Sequence, residues 1–199
     1  KKPSKRKENN NKEFIDLGIL DFDDNHSSSN NFDSLFSLHT IGANSFANNS
    51  ITDIEIKDLS FLSQIGSNAF LNNPLTGSLI LRNVPSLTSF NKFAISHENF
   101  KGDLELTNTE FATIGGFIQG SFQGSLKILD NQDLSQISQD AFKDNSFSSL
   151  ELSGNPSLTL ISPGSFANNN FGKNLILKNL PSLTTIRGSP NNLFPFGAF

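Results

Sequence analysis

Apolar side chains return along this chain at a nearly constant interval. The clearest marker is a pair of the form L-x-x-I or L-x-x-F, whose second members are separated by 24, 25, 24, 23, 24 and 25 residues. The seven pairs are Leu38/Ile41, Leu62/Ile65, Leu87/Phe90, Phe111/Ile114, Leu134/Ile137, Leu158/Ile161 and Leu183/Ile186. A fixed period of this length is typical of stacked structural repeats. The spacing therefore predicts an array of similar coils.

A short strand is predicted ahead of each of the last six markers. Two apolar residues flank one outward position there, and this alternation with period two is typical of a strand with one buried face. The pairs are Ile54/Ile56, Leu79/Leu81, Leu104/Leu106, Leu126/Ile128, Leu150/Leu152 and Leu175/Leu177. Pro85, Pro156 and Pro181 follow three of these strands. Proline ends a strand because it has no N–H to donate to the ladder.

The return side of each coil carries two further apolar columns with asparagine between them. The first column holds Phe46, Phe70, Phe142 and Phe166, and the second holds Ile51, Leu75, Phe100, Phe122, Phe147 and Phe171. The asparagines are Asn49, Asn73, Asn145 and Asn169. Asparagine suits bends because its side chain bonds turn backbone and tolerates left-handed conformations. Because these segments are rich in Asn, Gly, Pro and Ser, we expect little regular helix.

The combined pattern resembles the BspA-like (Treponema-type) leucine-rich repeat, most closely in "IGSNAF", "ISQDAF" and "ISPGSF", and over about residues 35–199. That family often has cysteine at the four asparagine positions. The third and fourth coils also depart from the pattern: "FNKFAISHENF" puts Ile95 in the phenylalanine column, and "IGGFIQGSF" is shortened. The resemblance implies a bacterial or protist surface protein involved in adhesion and protein binding.

A single 24-residue coil cannot bury its few apolar side chains alone, whereas stacked coils bury them against their neighbours. Together with the resemblance, this predicts a right-handed leucine-rich-repeat solenoid. We expect about six coils of 23–25 residues, with a short-stranded parallel sheet on one face.

The chain is predicted to divide into three parts. Residues 1–12 are expected to form a basic, disordered tether, 13–40 an N-terminal cap with an irregular first coil, and 41–199 the repeat array. The sequence has no Met and stops soon after a new coil starts at Ile186. It is therefore expected to be a piece of a longer protein, truncated in its last coil. The alternative is that Phe194, Phe196 and Phe199 cap the array.

Composition narrows the classes of partner. Residues 1–12 hold six of the 15 basic residues and one of the 19 acidic residues, so the remainder carries a net charge of −9. Such an acidic body argues against nucleic-acid binding, which needs clustered Lys and Arg. The basic head could also be a nuclear-localisation-like or polyanion-binding patch. All 20 aromatic residues are Phe, which excludes Trp or Tyr platforms for sugars or bases.

Candidate catalytic chemistry is sparse. Cysteine is absent, which excludes disulfides, thiolate zinc sites and thiol nucleophiles. His39 and His97 fall at turn or surface positions. His26 lies in "DFDDNH" among alternating carboxylates, but the glycine and distal glutamate of an EF-hand loop are missing. The sequence predicts no enzyme activity, no cofactor and no metal site.

The outward positions of the predicted sheet form the candidate binding surface. The first column reads Glu55, Ile80, Glu105, Lys127, Glu151 and Ile176, and the second reads Lys57, Arg82, Thr107, Leu129, Ser153 and Lys178. Most of these residues suit a solvated face of mixed charge. Ile80, Leu129 and Ile176 do not, because outward apolar side chains favour a contact surface.

Together with what the resemblance implies, these features lead us to expect a non-enzymatic adhesion or binding module, outside the cell or on its surface. Its partner would be a protein, or an extracellular-matrix or host-surface macromolecule, with no nucleic acid bound. No span of the membrane is expected, although the N-terminus could tether the chain to one. The alternative is a structural spacer within a larger surface protein.

Overall fold

A computed structural model describes residues 37–89, 100–117 and 122–188 in full, together with the backbone of three short N-terminal strands. These parts contain fifteen strands and no helix. The strands are β1 (Lys5–Lys7), β2 (Glu13–Asp16), β3 (Ser29–Asn31), β4 (Leu38–Ile41), β5 (Asp53–Lys57), β6 (Gln64–Ile65), β7 (Leu79–Val84), β8 (Leu104–Thr109), β9 (Thr113–Ile114), β10 (Ser125–Leu129), β11 (Gln136–Ile137), β12 (Ser149–Ser153), β13 (Leu160–Ile161), β14 (Asn174–Lys178) and β15 (Thr185–Ile186).

Six of the seven strands of the principal sheet are those that the alternating pattern predicts, and β3 was not predicted. The seven strands lie in the order β3-β5-β7-β8-β10-β12-β14, and all of them are parallel. One strand comes from each coil, so neighbours in space are neighbours in sequence one period apart. At about 4.8 Å between strands, the sheet is roughly 29 Å across. The predicted solenoid is therefore confirmed.

A second line of strands runs along the stack at the L-x-x-I markers. β9, β11, β13 and β15 form one short parallel sheet, and β4 and β6 continue in another with β2 and the antiparallel β1. The buried isoleucines lie directly above one another, so the backbone of one coil reaches the next. The N–H after Ile65 and the N–H after Ile161 each donate one coil back, to Ile41 (2.8 Å) and Ile137 (3.0 Å).

The core consists of the predicted apolar columns, with two ladders of stacked phenylalanines on the return side. In one ladder Phe46 stacks on Phe70 with 5.4 Å between ring centroids, and in the other Phe100, Phe122 and Phe147 stack at 5.0 and 5.3 Å. Parallel rings at these distances bury large apolar areas in a column that a coil cannot bury by itself.

The irregular fourth coil keeps the phenylalanine column by a shorter route. Phe117 lies three residues after Ile114, where the other coils use five, yet its ring stacks on Phe142 at 5.5 Å. The loss of two residues is thus absorbed in the bend and leaves the stack intact. Ile95, which the sequence puts in this column of the third coil, lies outside the described residues.

Asparagine was expected both to bond the turn backbone and to adopt a left-handed conformation, and in the return bend two neighbouring residues perform these two roles separately. Asn73 is buried and donates through Nδ2 to the carbonyls of Phe46 (2.7 Å) and Phe70 (2.9 Å). The left-handed conformation belongs to the residue before it, Asn72, which has a φ of 58°. Asn48, Asp144 and Asn168 repeat that conformation in other coils. Asn49 differs from its buried counterparts in being only half-buried.

The last described coil is less buried than its pattern predicts. Leu175 is half-buried, Leu177 is 38% exposed and Ile186 is 41% exposed. We expected Leu175 and Leu177 to be buried as their counterparts are, but β14 is the edge strand of the principal sheet, and among the described residues only the coil of β12 packs beside it. Residues 189–199, including the three candidate capping phenylalanines, lie outside the described residues, and the three-part division of the chain remains a prediction.

Candidate binding face

The structure brings the twelve outward residues of the two columns together on one side of the principal sheet. Each residue is the direct cross-strand neighbour of the next in its column, from Glu55 opposite Ile80 to Glu151 opposite Ile176, and from Lys57 opposite Arg82 to Ser153 opposite Lys178. These twelve residues are called the sheet face below. Their common register is what the alternating pattern predicted.

A third outward column runs beside these two and was missed from the sequence. It consists of Asp53, Ser78, Asp103, Ser125, Ser149 and Asn174. Asp53 accepts the backbone N–H of Ser78 at 2.7 Å, and Asp103 accepts that of Ser125 at 2.7 Å. The period-two alternation, extended back by one step, would have found it. These carboxylates tie one coil to the next at the edge of the sheet face.

The sheet face is not uniformly accessible. Ile176 is 40% exposed and Lys178 is exposed, whereas most of the other residues are half-buried between their neighbours. Glu105 is buried, and its side chain is only 6% exposed. Glu105 therefore lies beneath the accessible surface, and Ile176 and Lys178 are the more exposed of the twelve residues.

Ion pairs order the N-terminal half of the sheet face. Arg82 binds Glu105 with both ends of its guanidinium, from Nε to Oε1 at 2.6 Å and from Nη2 to Oε2 at 2.7 Å. Thr107 donates its hydroxyl to the same Oε1 at 3.0 Å. Lys57 pairs with Glu55 on its own strand at 3.2 Å. A two-pronged Arg–carboxylate pair fixes both partners in one orientation.

The pKa of Glu105 is set by opposing effects. Burial by itself would raise the pKa, but the hydrogen bonds from Arg82 and Thr107 and the positive charges of Arg82 and Lys127 outweigh it. The pKa of the carboxyl is consequently held below its ordinary value of 4.5. The hydrogen bond to Glu105 likewise raises the pKa of Arg82. Both groups are therefore charged at neutral pH.

The Glu105 pair is expected to make stability depend on acid pH. Because the pKa is lower in the folded state, ionisation of Glu105 stabilises the fold above about pH 4.5, and this contribution is lost as the pH falls through the folded pKa. Urea unfolding of the wild type and of Glu105→Gln should differ by about 1–3 kcal/mol at pH 7, as for hydrogen bonds to a charged group. The difference should shrink below pH 4.5. An equal difference at pH 7 and pH 3 would contradict the assignment.

Charges in the C-terminal half of the sheet face are not paired in this way. Among the residues that the structure describes, Lys127, Glu151 and Lys178 form no salt bridge and no side-chain hydrogen bond. The strands β5, β7 and β8 are called the paired half below, and β10, β12 and β14 the open half. The described charges of the open half therefore interact with their neighbours only through longer-range attraction, as Lys127 does with Glu105.

Comparison with protein families identifies the repeat. The model of the BspA type leucine rich repeat region matches residues 21–109 and 93–190, in six copies. The chain belongs to this family. Comparison with curated proteins gives no match. The resemblance read from "IGSNAF" and its counterparts is confirmed.

BspA-type repeat proteins are often involved in surface adhesion or protein interaction, and the family is not known for enzymatic activity. In the BspA-type array described here, no cluster of three or more His, Cys, Asp or Glu that could hold a metal occurs within the described ranges. The described part of the chain also contains no helix long and apolar enough to cross a membrane.

Of the three histidines of this BspA-type chain, only His39 lies within the described residues. Its ring stacks on the exposed ring of Phe61 at 5.5 Å, and its Nδ1 lies 2.8 Å from the carbonyl oxygen of Ser37. Phe61 is 55% exposed and lies away from the sheet face, in the turn after β5. His26, His97 and the carboxylates near His26 lie outside the described residues.

Proposed function

We propose that this BspA-type array is a non-enzymatic binding module that is displayed on a cell surface or outside the cell. It contacts a protein, or another macromolecule of a matrix or host surface, through its sheet face. The observation that carries the proposal is the placement of apolar side chains at outward positions among charges. Ile80, Leu129 and Ile176 occupy the same registered columns as Glu151 and Lys178.

Such a mixed surface suits a protein partner. Protein interfaces combine apolar contacts with a polar rim, and a flat sheet offers both without rearrangement. The acidic body of the chain opposes a nucleic-acid partner. Affinity would come from several modest contacts, because the chain has neither Trp nor Tyr to supply large aromatic anchors.

The double variant Ile80→Thr/Ile176→Thr is expected to weaken adhesion about tenfold. Threonine keeps the β-branched shape that suits a strand, while each change removes apolar contact worth about 0.8 kcal/mol per CH₂. Adhesion of the labelled chain to the cell or matrix surface that its source organism contacts provides the measurement.

Phe61→Thr is the matched control, since it removes an exposed apolar side chain away from the sheet face. It should leave adhesion unchanged. If both variants adhere like the wild type, the sheet face is not the contact surface and the spacer role is favoured. If the control weakens adhesion and the double variant does not, the binding surface lies on the Phe61 side.

A further inference from the structure

We propose that the open half of the sheet face binds an extended protein segment in which two carboxylates flank an apolar side chain. The proposal rests on the proposed function and names the class of partner. It follows from three properties of the twelve residues and of the third outward column, which is called the edge column below. These are the charge balance of the two halves, the state of pairing of those charges, and the arrangement of apolar side chains between them.

The charge balance changes sign along the sheet. In the paired half the outward positions carry two cations, Lys57 and Arg82, against four carboxylates, two of them in the edge column at Asp53 and Asp103. In the open half they carry two cations against one carboxylate, and the edge column is uncharged. An acidic partner is therefore attracted to the open half and repelled by the paired half.

The ion pairs within the chain increase the difference between the two halves in their attraction for an acidic partner. The cations of the paired half already bind carboxylates of the chain, so a new partner would have to compete with Glu55 and Glu105. Lys127 and Lys178 form no salt bridge among the described residues. Lys127 lies opposite Glu105 and Glu151 and attracts Glu105 without a hydrogen bond, so binding of a partner breaks no hydrogen-bonded pair. The cations of the open half can therefore bind a foreign carboxylate without breaking a salt bridge, whereas Lys57 and Arg82 cannot.

The two outer strands of the open half carry the same pair of side-chain types in opposite order. β10 presents Lys127 and then Leu129, whereas β14 presents Ile176 and then Lys178. Cations thus lie on one diagonal of the patch and apolar side chains on the other. Two strand spacings of about 4.8 Å and an offset of two residues separate the lysine backbones by roughly 12 Å. An extended segment spans about 13 Å between residues i and i+4.

Glu151 lies on β12 between those corners and sets the specificity. It faces the middle of a bound segment, where a third carboxylate would be repelled and an apolar or neutral residue tolerated. The patch is therefore expected to reject uniformly acidic polymers. It favours a segment that is acidic at both ends and apolar at the centre.

Three five-residue peptides test this proposal by titration against the ¹⁵N-labelled chain, followed by amide chemical shifts. The probe is acetyl-Asp-Ser-Leu-Ser-Asp-amide, in which both carboxylates and the leucine point to one side. The second peptide replaces both Asp with Lys, and the third replaces Leu with Asp. We expect shifts on β10, β12 and β14 with the probe, weaker shifts with the third peptide and none with the second.

Charge reversal supplies the matched variants. Lys127→Glu/Lys178→Glu should weaken probe binding by about tenfold or more, because two attractive contacts become repulsive. Lys143→Glu/Arg187→Glu makes the same change in net charge off the principal sheet, in the bend after β11 and directly after β15, and should leave binding unchanged. Equal effects of the two double variants would overturn the proposal, because only overall charge would then matter.

The location of the shifts separates the two proposals. Shifts confined to the paired half, the absence of shifts with the probe, or equal shifts with the basic peptide would overturn the open-half proposal and leave the sheet-face function standing. Shifts confined to surfaces away from the sheet face would count against both.

Discussion

Phe142→Ala is expected to destabilise the array by about 3–5 kcal/mol, the range found when a large buried aromatic side chain is deleted. Phe142 has no exposed surface. Its ring stacks on Phe117 at 5.5 Å and on Phe166 at 5.6 Å, and the edge of Phe147 lies against it at 6.4 Å. Deleting it leaves a cavity between two coils that rigid neighbouring rings cannot fill.

Urea unfolding monitored by circular dichroism provides the measurement. Phe61→Ala is the control, since Phe61 is 55% exposed and its loss should cost less than about 1 kcal/mol. The position of Phe142 in the middle of the array matters, because each coil is stabilised by both neighbours and a weakened interface divides the stack. A near-neutral effect of Phe142→Ala would show that this column is not packed as described.

The fold could be predicted from the sequence because each coil of a solenoid packs only against the coils before and after it in the chain. Every core column recurs at the same place in each coil, so the register of the sheet follows from counting residues. Phe117 is a residue whose place in the core could not be found by counting residues. The bend from Ile114 to Phe117 is two residues shorter than in the other coils, and counting alone does not reveal whether this coil lacks a ring in the column or reaches it through a shorter bend.

The contacts within the sheet face depend on information that the pattern does not contain. The register places Glu105 directly opposite Ile80, and Arg82 opposite Thr107. The observed pair instead runs diagonally from Arg82 to Glu105, because the long guanidinium side chain can reach a carboxylate two residues away on the next strand. Counting residues along each coil gave the cross-strand neighbours correctly. Which neighbouring carboxylate Arg82 binds depends on the length and rotamer of its side chain.

Close packing between coils also imposes residue requirements that the sequence pattern does not reveal. A Cβ atom on Gly77 would lie 1.9 Å from Oδ1 of Asp53, in the space through which that carboxylate reaches the N–H of Ser78. The glycine at this place is therefore set by a side chain one coil earlier. Such a requirement is visible only once both coils are in position.

Asn155 occupies a column in which the pattern is mixed, and its role was not predicted. The equivalent residues are Leu59, Val84, Thr109, Asn131 and Leu180, so three consecutive polar residues lie within an otherwise apolar column, which is buried except at the half-buried Leu180. Asn131 and Asn155 have no exposed surface, and each binds backbone of the preceding coil, through Nδ2 to the carbonyls of Leu106 (3.0 Å) and Ile128 (2.9 Å).

Asn155→Leu is therefore expected to cost about 2–4 kcal/mol, although it makes the core more apolar. It leaves the backbone N–H of Asn131 buried without its acceptor, which was 3.0 Å away, and it removes the Nδ2 bond to the carbonyl of Ile128 at 2.9 Å. The orphaned N–H costs about 1–3 kcal/mol and the lost bond about 0.5–1.5 kcal/mol more. Urea unfolding of this variant, with Asn170→Leu at an exposed bend as control, measures the cost.

A double-variant cycle distinguishes a connected ladder from two independent asparagines. Asn155 Oδ1 accepts the Nδ2 of Asn131 at 3.1 Å, so Asn131→Leu and Asn155→Leu each disrupt the same contact. The double variant should cost about 1–2 kcal/mol less than the sum of the two single variants, because residues in one hydrogen-bond network couple by this amount. Strict additivity would mean that each coil satisfies its own backbone. Coupling would mean that the polar column fixes the register of successive coils, as the phenylalanine columns do on the opposite side.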